Sequence, residues 1–144
     1  EFSVTETIDV TAPSDGNQKV TSFMGSDDVR YVLAMVEPTE PQVAINDIQA
    51  MLFKMENMMS FPRVENYTVA LDPRMPGMGN HSSPNNVDLT YDSSAKSYNG
   101  KLSLTMTGYW KLNLKLLNGT GEVLKGEDIT DENEASTLYF ELEF

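Results

Sequence analysis

Between Leu102 and Leu116 the chain alternates in a single phase, and that run limits the folds open to it more than any other stretch. Leu102, Leu104, Met106, Trp110, Leu112, Leu114 and Leu116 share one parity, while Lys101, Ser103, Thr105, Thr107, Lys111, Asn113 and Lys115 take the other. A period of two is the pattern of a half-buried sheet. A straight strand of that length would extend ~50 Å at about 3.3 Å per residue, whereas a compact domain of this size has a radius of gyration of about 15 Å. The strand must bend. Gly108, the one residue in the run without a side chain, is the expected corner at which the chain passes from one sheet to a facing sheet with its leucines inward. Trp110 then packs between the sheets, and Tyr109 points the other way, free to tie down a loop or face a partner.

The remaining segments also read as short strands separated by turns. Gln18 to Met24 and Val29 to Val36 flank Gly25-Ser26-Asp27-Asp28, and Glu37-Pro38-Thr39-Glu40-Pro41 closes the second. Val43 to Met59 carries two patterns: Ile45, Ile48, Leu52 and Met55 fall at helical spacing, yet Gln49, Met51, Phe53 and Met55 alternate with Ile48, Ala50, Leu52 and Lys54. Strand is the reading that agrees with the rest of the chain. Tyr67 to Leu71 and Val87 to Tyr91 are further strands, with a turn expected at Lys96 to Gly100. Asn118-Gly119-Thr120-Gly121 is a hairpin turn, Glu122 to Gly126 returns, Glu127 to Glu134 forms an acidic loop, and Thr137 to Phe144 ends the run of strands. The expected fold is an all-β, immunoglobulin-like antiparallel sandwich of seven to nine strands. It occupies residues 19–144, preceded by a strand or linker over 1–18 that alternates through Phe2, Val4, Ile8 and Val10.

Charge and composition exclude several functions. With 10 basic and 22 acidic residues the net charge is −12, a field that repels phosphate backbones and anionic lipid. The absence of cysteine removes disulfides, thiolate zinc sites and cysteine nucleophiles. No apolar run approaches the ~20 residues that span a bilayer, and residues 1–10 lack a signal peptide's basic start and apolar centre. Export therefore requires that a leader has been removed. No nucleophile elbow, P-loop, dinucleotide fingerprint or H-E-x-x-H appears, so a non-catalytic role is expected. Asp128, Asp131, Glu132, Asn133 and Glu134 lack the spacing of a calcium loop and read as a solvated turn. Asn66-Tyr67-Thr68, Asn80-His81-Ser82 and Asn118-Gly119-Thr120 match the glycosylation acceptor pattern, which matters only in a eukaryotic secreted protein.

One stretch is not explained by packing. Met75-Pro76-Gly77-Met78-Gly79-Asn80-His81 presents two thioethers and the chain's single histidine at intervals of three. Neutral thioether sulfur suits Cu(I) and imidazole suits either copper state, so Met75, Met78 and His81 could form a three-coordinate cuprous site. Alternatively, the methionines fill space under the loop and His81 is a surface residue. Met55, Met58 and Met59 form a second cluster that could lend a third sulfur if that edge lies beside the loop; otherwise they are core and surface residues.

At Met58-Met59-Ser60-Phe61-Pro62, at Met75 to Asn86 and at Gly100 to Leu114, the sequence resembles the YtkA-like family and its FixH-like relatives, in particular exported lipoproteins of Bacteroidetes. The resemblance runs from Asp28 to Phe144. It implies an immunoglobulin-like sandwich, a periplasmic or outer-membrane-anchored location through a lipid anchor outside the given sequence, and a copper-handling or oxidase-assembly partner. The ligands it implies are Met75, Met78 and His81; where the family pattern has a histidine two residues after the second methionine, this chain has Asn80. The alternative is a structural or adhesion module of a surface lipoprotein making protein or glycan contacts without metal.

Overall fold

The computed structural model describes residues 17–144, so the strand or linker expected around Phe2 to Val10 lies outside the described residues. The fold is all-β and antiparallel. Among the described residues ten strands follow one another: β1 (Val20–Met24), β2 (Arg30–Glu37), β3 (Ile45–Lys54), β4 (Thr68–Met75), β5 (His81–Ser82), β6 (Val87–Asp92), β7 (Ser97–Ser103), β8 (Tyr109–Leu117), β9 (Val123–Lys125) and β10 (Leu138–Glu143). They form one sheet in the order β1-β2-β3-β7-β6-β4-β8-β10, with β5 on the edge of β4 and β9 on β8.

Only two residue pairs, Thr68 with Thr90 and Val69 with Leu89, join β4 to β6. The sheet therefore divides into a β1-β2-β3-β7-β6 part and a β4-β8-β10 part, which face each other as the expected sandwich. Its far edges also meet: Gln18 accepts from Glu141 N at 2.8 Å, and its own N–H donates to the Glu141 carboxylate at 2.8 Å. Closure buries one core. Leu33, Ile48, Leu102, Trp110, Leu112 and Phe140 are each fully covered, at roughly 1.5–3 kcal/mol for each large apolar side chain.

Several boundaries differ from expectation for local reasons. Within Val43 to Met59, Ile45 to Lys54 form strand β3, because the neighbours β2 and β7 pair it on both sides, and Met55 to Met59 turn away from it. The turn expected at Lys96 to Gly100 lies earlier. The Asp92 carboxylate takes Ser94 N at 2.9 Å, Asp92 O takes Lys96 N at 2.7 Å, and Lys96 itself turns with φ 56°. Ser97 to Gly100 are thereby released into β7.

The long alternating run divides as the length argument requires. β7 stops at Ser103, residues 104–108 form a connection, Gly108 turns with φ 131°, and β8 begins at Tyr109. The phase survives the corner for Trp110 and the leucines after it, but Met106 emerges at the surface. On the other parity, Asn113 is buried rather than solvent-facing, because residues 127–136 lie over it and Ser136 N donates to its Oδ1 at 2.9 Å.

Candidate functional site

The strand expected to end at Leu71 runs on as far as Met75. β4 continues through Asp72, Pro73 and Arg74, each paired with β8, to Met75. Proline is accepted because of where its missing N–H would point. Leu71 N, on the same side, donates to the Asp88 carboxylate at 2.9 Å rather than to a strand, so two residues on no partner is deprived. Pro76 to Met78 then make a single 3-10 turn, Gly79 (φ 70°) and Asn80 (φ 59°) adopt the left-handed conformation, and the chain returns as β5. Asn80 fixes this hairpin from outside by donating to Glu134 O at 3.2 Å, while Arg74 pairs with Asp72 at 2.9 Å.

This register decides which of the expected ligands meet. Met75 stands directly opposite His81, and opposed residues of an antiparallel pair project from one face with Cβ atoms ~5 Å apart. On the other flank, Arg74 opposes Lys111, which places Met75 beside Trp110, and Trp110 opposes Leu142 of β10. Trp110 and Leu142 are buried, so the row faces inward. His81 lies at its open end, with its ring centroid 6.4 Å from that of Trp110. Met75 is 3% exposed, and Met78, at the tip of the turn, is 55% exposed. The fold thus brings Met75 and His81 together and leaves Met78 in solvent.

Strand direction settles the position of the second methionine cluster. β3 and β4 are both connected to it, at the end of β3 and the start of β4, whereas Met75 and His81 close the opposite end of β4. Met58 and Met59 are exposed there at 81% and 57%. They cannot lend a sulfur to the hairpin, a correction to the sequence expectation that parity alone could not have supplied.

Three residues at the rim had no separate signal as site residues. Trp110 forms the floor beneath His81. Its Nε1 donates to Met106 O at 3.0 Å, drawing the 104–108 connection over the rim. Gly108 leaves room for Met75: a Cβ there would stand 3.0 Å from the Met75 methyl. The alternating pattern could have revealed only that these residues flank a corner.

Elsewhere the polar groups satisfy one another. Tyr109 donates to Glu141 Oε2 at 2.7 Å, and burial, followed by that hydrogen bond, raises its pKa. Asp128 pairs with Lys115 at 2.6 Å, and Glu127 accepts from both Thr137 N and Oγ1. Among the described residues no three His, Cys, Asp or Glu side chains gather as a metal-binding group. The outer face carries a groove of about 540 Å³ between Glu37 and Val87, floored by Asp47, Gln49, Asn99 and Lys101. Its floor is cross-linked by the Lys101–Asp47 ion pair and by Gln49 donating to Ser97 at 2.9 Å. Among the described residues no helix is long and apolar enough to cross a membrane. No protein-family model, curated protein or solved structure matches the chain.

Proposed function

We propose that this protein is a non-catalytic, exported β-sandwich that binds Cu(I) at the open rim of its core and passes it to a copper-handling or oxidase-assembly partner. The observation that carries the proposal is the Met75–His81 pairing on an inward face beside Trp110. A thioether and a neutral imidazole make a soft donor set without the carboxylates that hard cations require. The donors also differ in access: Met75 is buried and His81 exposed, so an ion can be taken up and surrendered from the histidine side while the sulfur stays fixed. The resemblance to YtkA-like proteins, and the periplasmic or outer-membrane lipoprotein location it implies, belong to this proposal.

Titration with Cu(I) against a competing chelator tests it. Met75→Leu keeps the buried volume and removes the sulfur, and His81→Ala alters an exposed residue; each is expected to weaken binding about tenfold or more, equivalent to at least ~1.4 kcal/mol. Affinities equal to that of the unaltered chain in both variants would rule the site out. The competing reading is an adhesion module. It draws support from the outer groove rather than from Tyr109, whose hydroxyl is committed to Glu141. Under that reading Cu(I) leaves the melting temperature unchanged, whereas a ligand specific for the folded state raises it.

A further inference from the structure

We propose that Met106, carried over the rim by the Trp110 Nε1 to Met106 O hydrogen bond, is the third ligand of this site in place of Met78, and that the Trp110 indole underlies the bound ion. This rests on the Cu(I) reading above and completes it. Three contacts converge on one place: the 104–108 connection hangs from Trp110, its Gly108 abuts the Met75 methyl, and the His81 ring stands 6.4 Å from that of Trp110, tilted by 53°. Gly108 is further pinned by exchanging two hydrogen bonds with Phe144, at 3.0 and 3.3 Å. Met106 is 37% exposed, between the burial of Met75 and the exposure of Met78, as expected of a side chain at a rim. A long thioether with three rotatable bonds can turn inward from there without moving the backbone. Met78 starts from the tip of the 3-10 turn, facing solvent. The indole face adds an attraction that favours a cation within about 6 Å of its centre. Because thioether and indole both prefer soft, weakly hydrated ions, the complete site takes Cu(I) or Ag(I) ahead of divalent metals.

The test measures Cu(I) affinity by chelator competition in Met106→Leu and Met78→Leu, alongside Met75→Leu and His81→Ala, and counts sulfur neighbours of bound Cu(I) by X-ray absorption. Ag(I) quenching of Trp110, the single tryptophan, follows the ion's approach to the ring. The expected result is a loss of about tenfold or more in Met106→Leu with one sulfur neighbour missing, an unchanged Met78→Leu, and Trp110 quenching in the unaltered chain. Met106→Leu changes a partly exposed apolar side chain, and an unaltered melting temperature without metal shows that its fold is kept. Normal affinity and sulfur count in Met106→Leu, with Met75→Leu and His81→Ala weakened, would overturn the assignment of Met106 and leave the Cu(I) site standing. Normal affinity in all four variants would remove the site and this inference with it.

Discussion

Replacing Gly108 with alanine tests the corner on which both the sandwich and the rim depend. The residue sits at φ 131°, a region that a residue with a Cβ enters only at a cost on the order of 1–3 kcal/mol. The new methyl would also stand 3.0 Å from the Met75 terminal methyl. That contact is the smaller effect, because the end of a methionine side chain shifts a few tenths of an ångström readily. Relaxing φ is not a free escape, since Gly108 N donates to Phe144 O and Gly108 O accepts from Phe144 N, and rotating the peptide sacrifices bonds of ~1 kcal/mol each. The expected destabilisation is about 1–3 kcal/mol, or ~3–10 °C in melting temperature for a chain of this length. Urea unfolding should show a lower midpoint with an unchanged slope. Gly77→Ala is the internal comparison, because a Cβ there meets nothing within 4 Å and no positive φ is involved; its effect should stay within ~0.5 kcal/mol of zero. If the two alanine variants melt together, the left-handed corner does not hold β7 and β8 in their separate halves.

Other perturbations have outcomes that the geometry fixes. Tyr98→Phe removes a hydroxyl that donates to Val64 O at 2.7 Å and accepts from Tyr67 N at 3.2 Å; stranding these partners should cost about 1–3 kcal/mol in urea unfolding, and a neutral result would mean that water replaces the hydroxyl. Tyr98 also sets an alkaline limit. Burial pushes its pKa up to about 12 from 10.0, against a smaller lowering by the Tyr67 N–H. The folded state therefore holds this proton more tightly than the unfolded state, so its contribution to stability is complete below pH 10 and declines as pH rises from 10 towards 12. Urea midpoints that stay level across that window would contradict this. Asn113→Ala breaks the bonds to Ser136 N, Asp72 O and Lys111 O. Besides a loss of about 1–3 kcal/mol, it should free the 127–136 segment for limited proteolysis, and equal cleavage rates would show that Asn113 does not hold that segment.

Much of the fold was legible because it follows from alternation and turn chemistry. The Leu102–Leu116 run, the Asn118–Gly121 turn and the return through Leu138, Phe140 and Leu142 each express a local rule, and the structure follows them. What could not be read was which strands become neighbours. The strand expected over Tyr67 to Leu71 runs on through Pro73 because β8 pairs it on the other side, and Asn113 appeared solvent-facing because its cover comes from residues 23 positions away. The candidate site divides along the same line. Met75 and His81 were identified from residue type and spacing, and the register then placed them opposite each other. Met58 and Met59 were separated from them by strand direction, and Met106 was joined to them by a corner, neither of which has a signature in the spacing of methionines.

The meeting of Gln18 with Glu141 has a consequence for how the chain is made. β10 supplies the neighbour for β8 along Leu114 to Tyr109 and, through Glu141, the neighbour for the residues leading into β1. During vectorial synthesis it emerges last of the strands described. Until then two unpaired edges coexist on one molecule, and the β8 edge is the apolar one that contains Trp110. Exposed edges of that kind recruit strands from other chains, so a nascent chain stalled before Leu138 is the form most prone to self-association, and the last six-residue strand covers the apolar β8 edge.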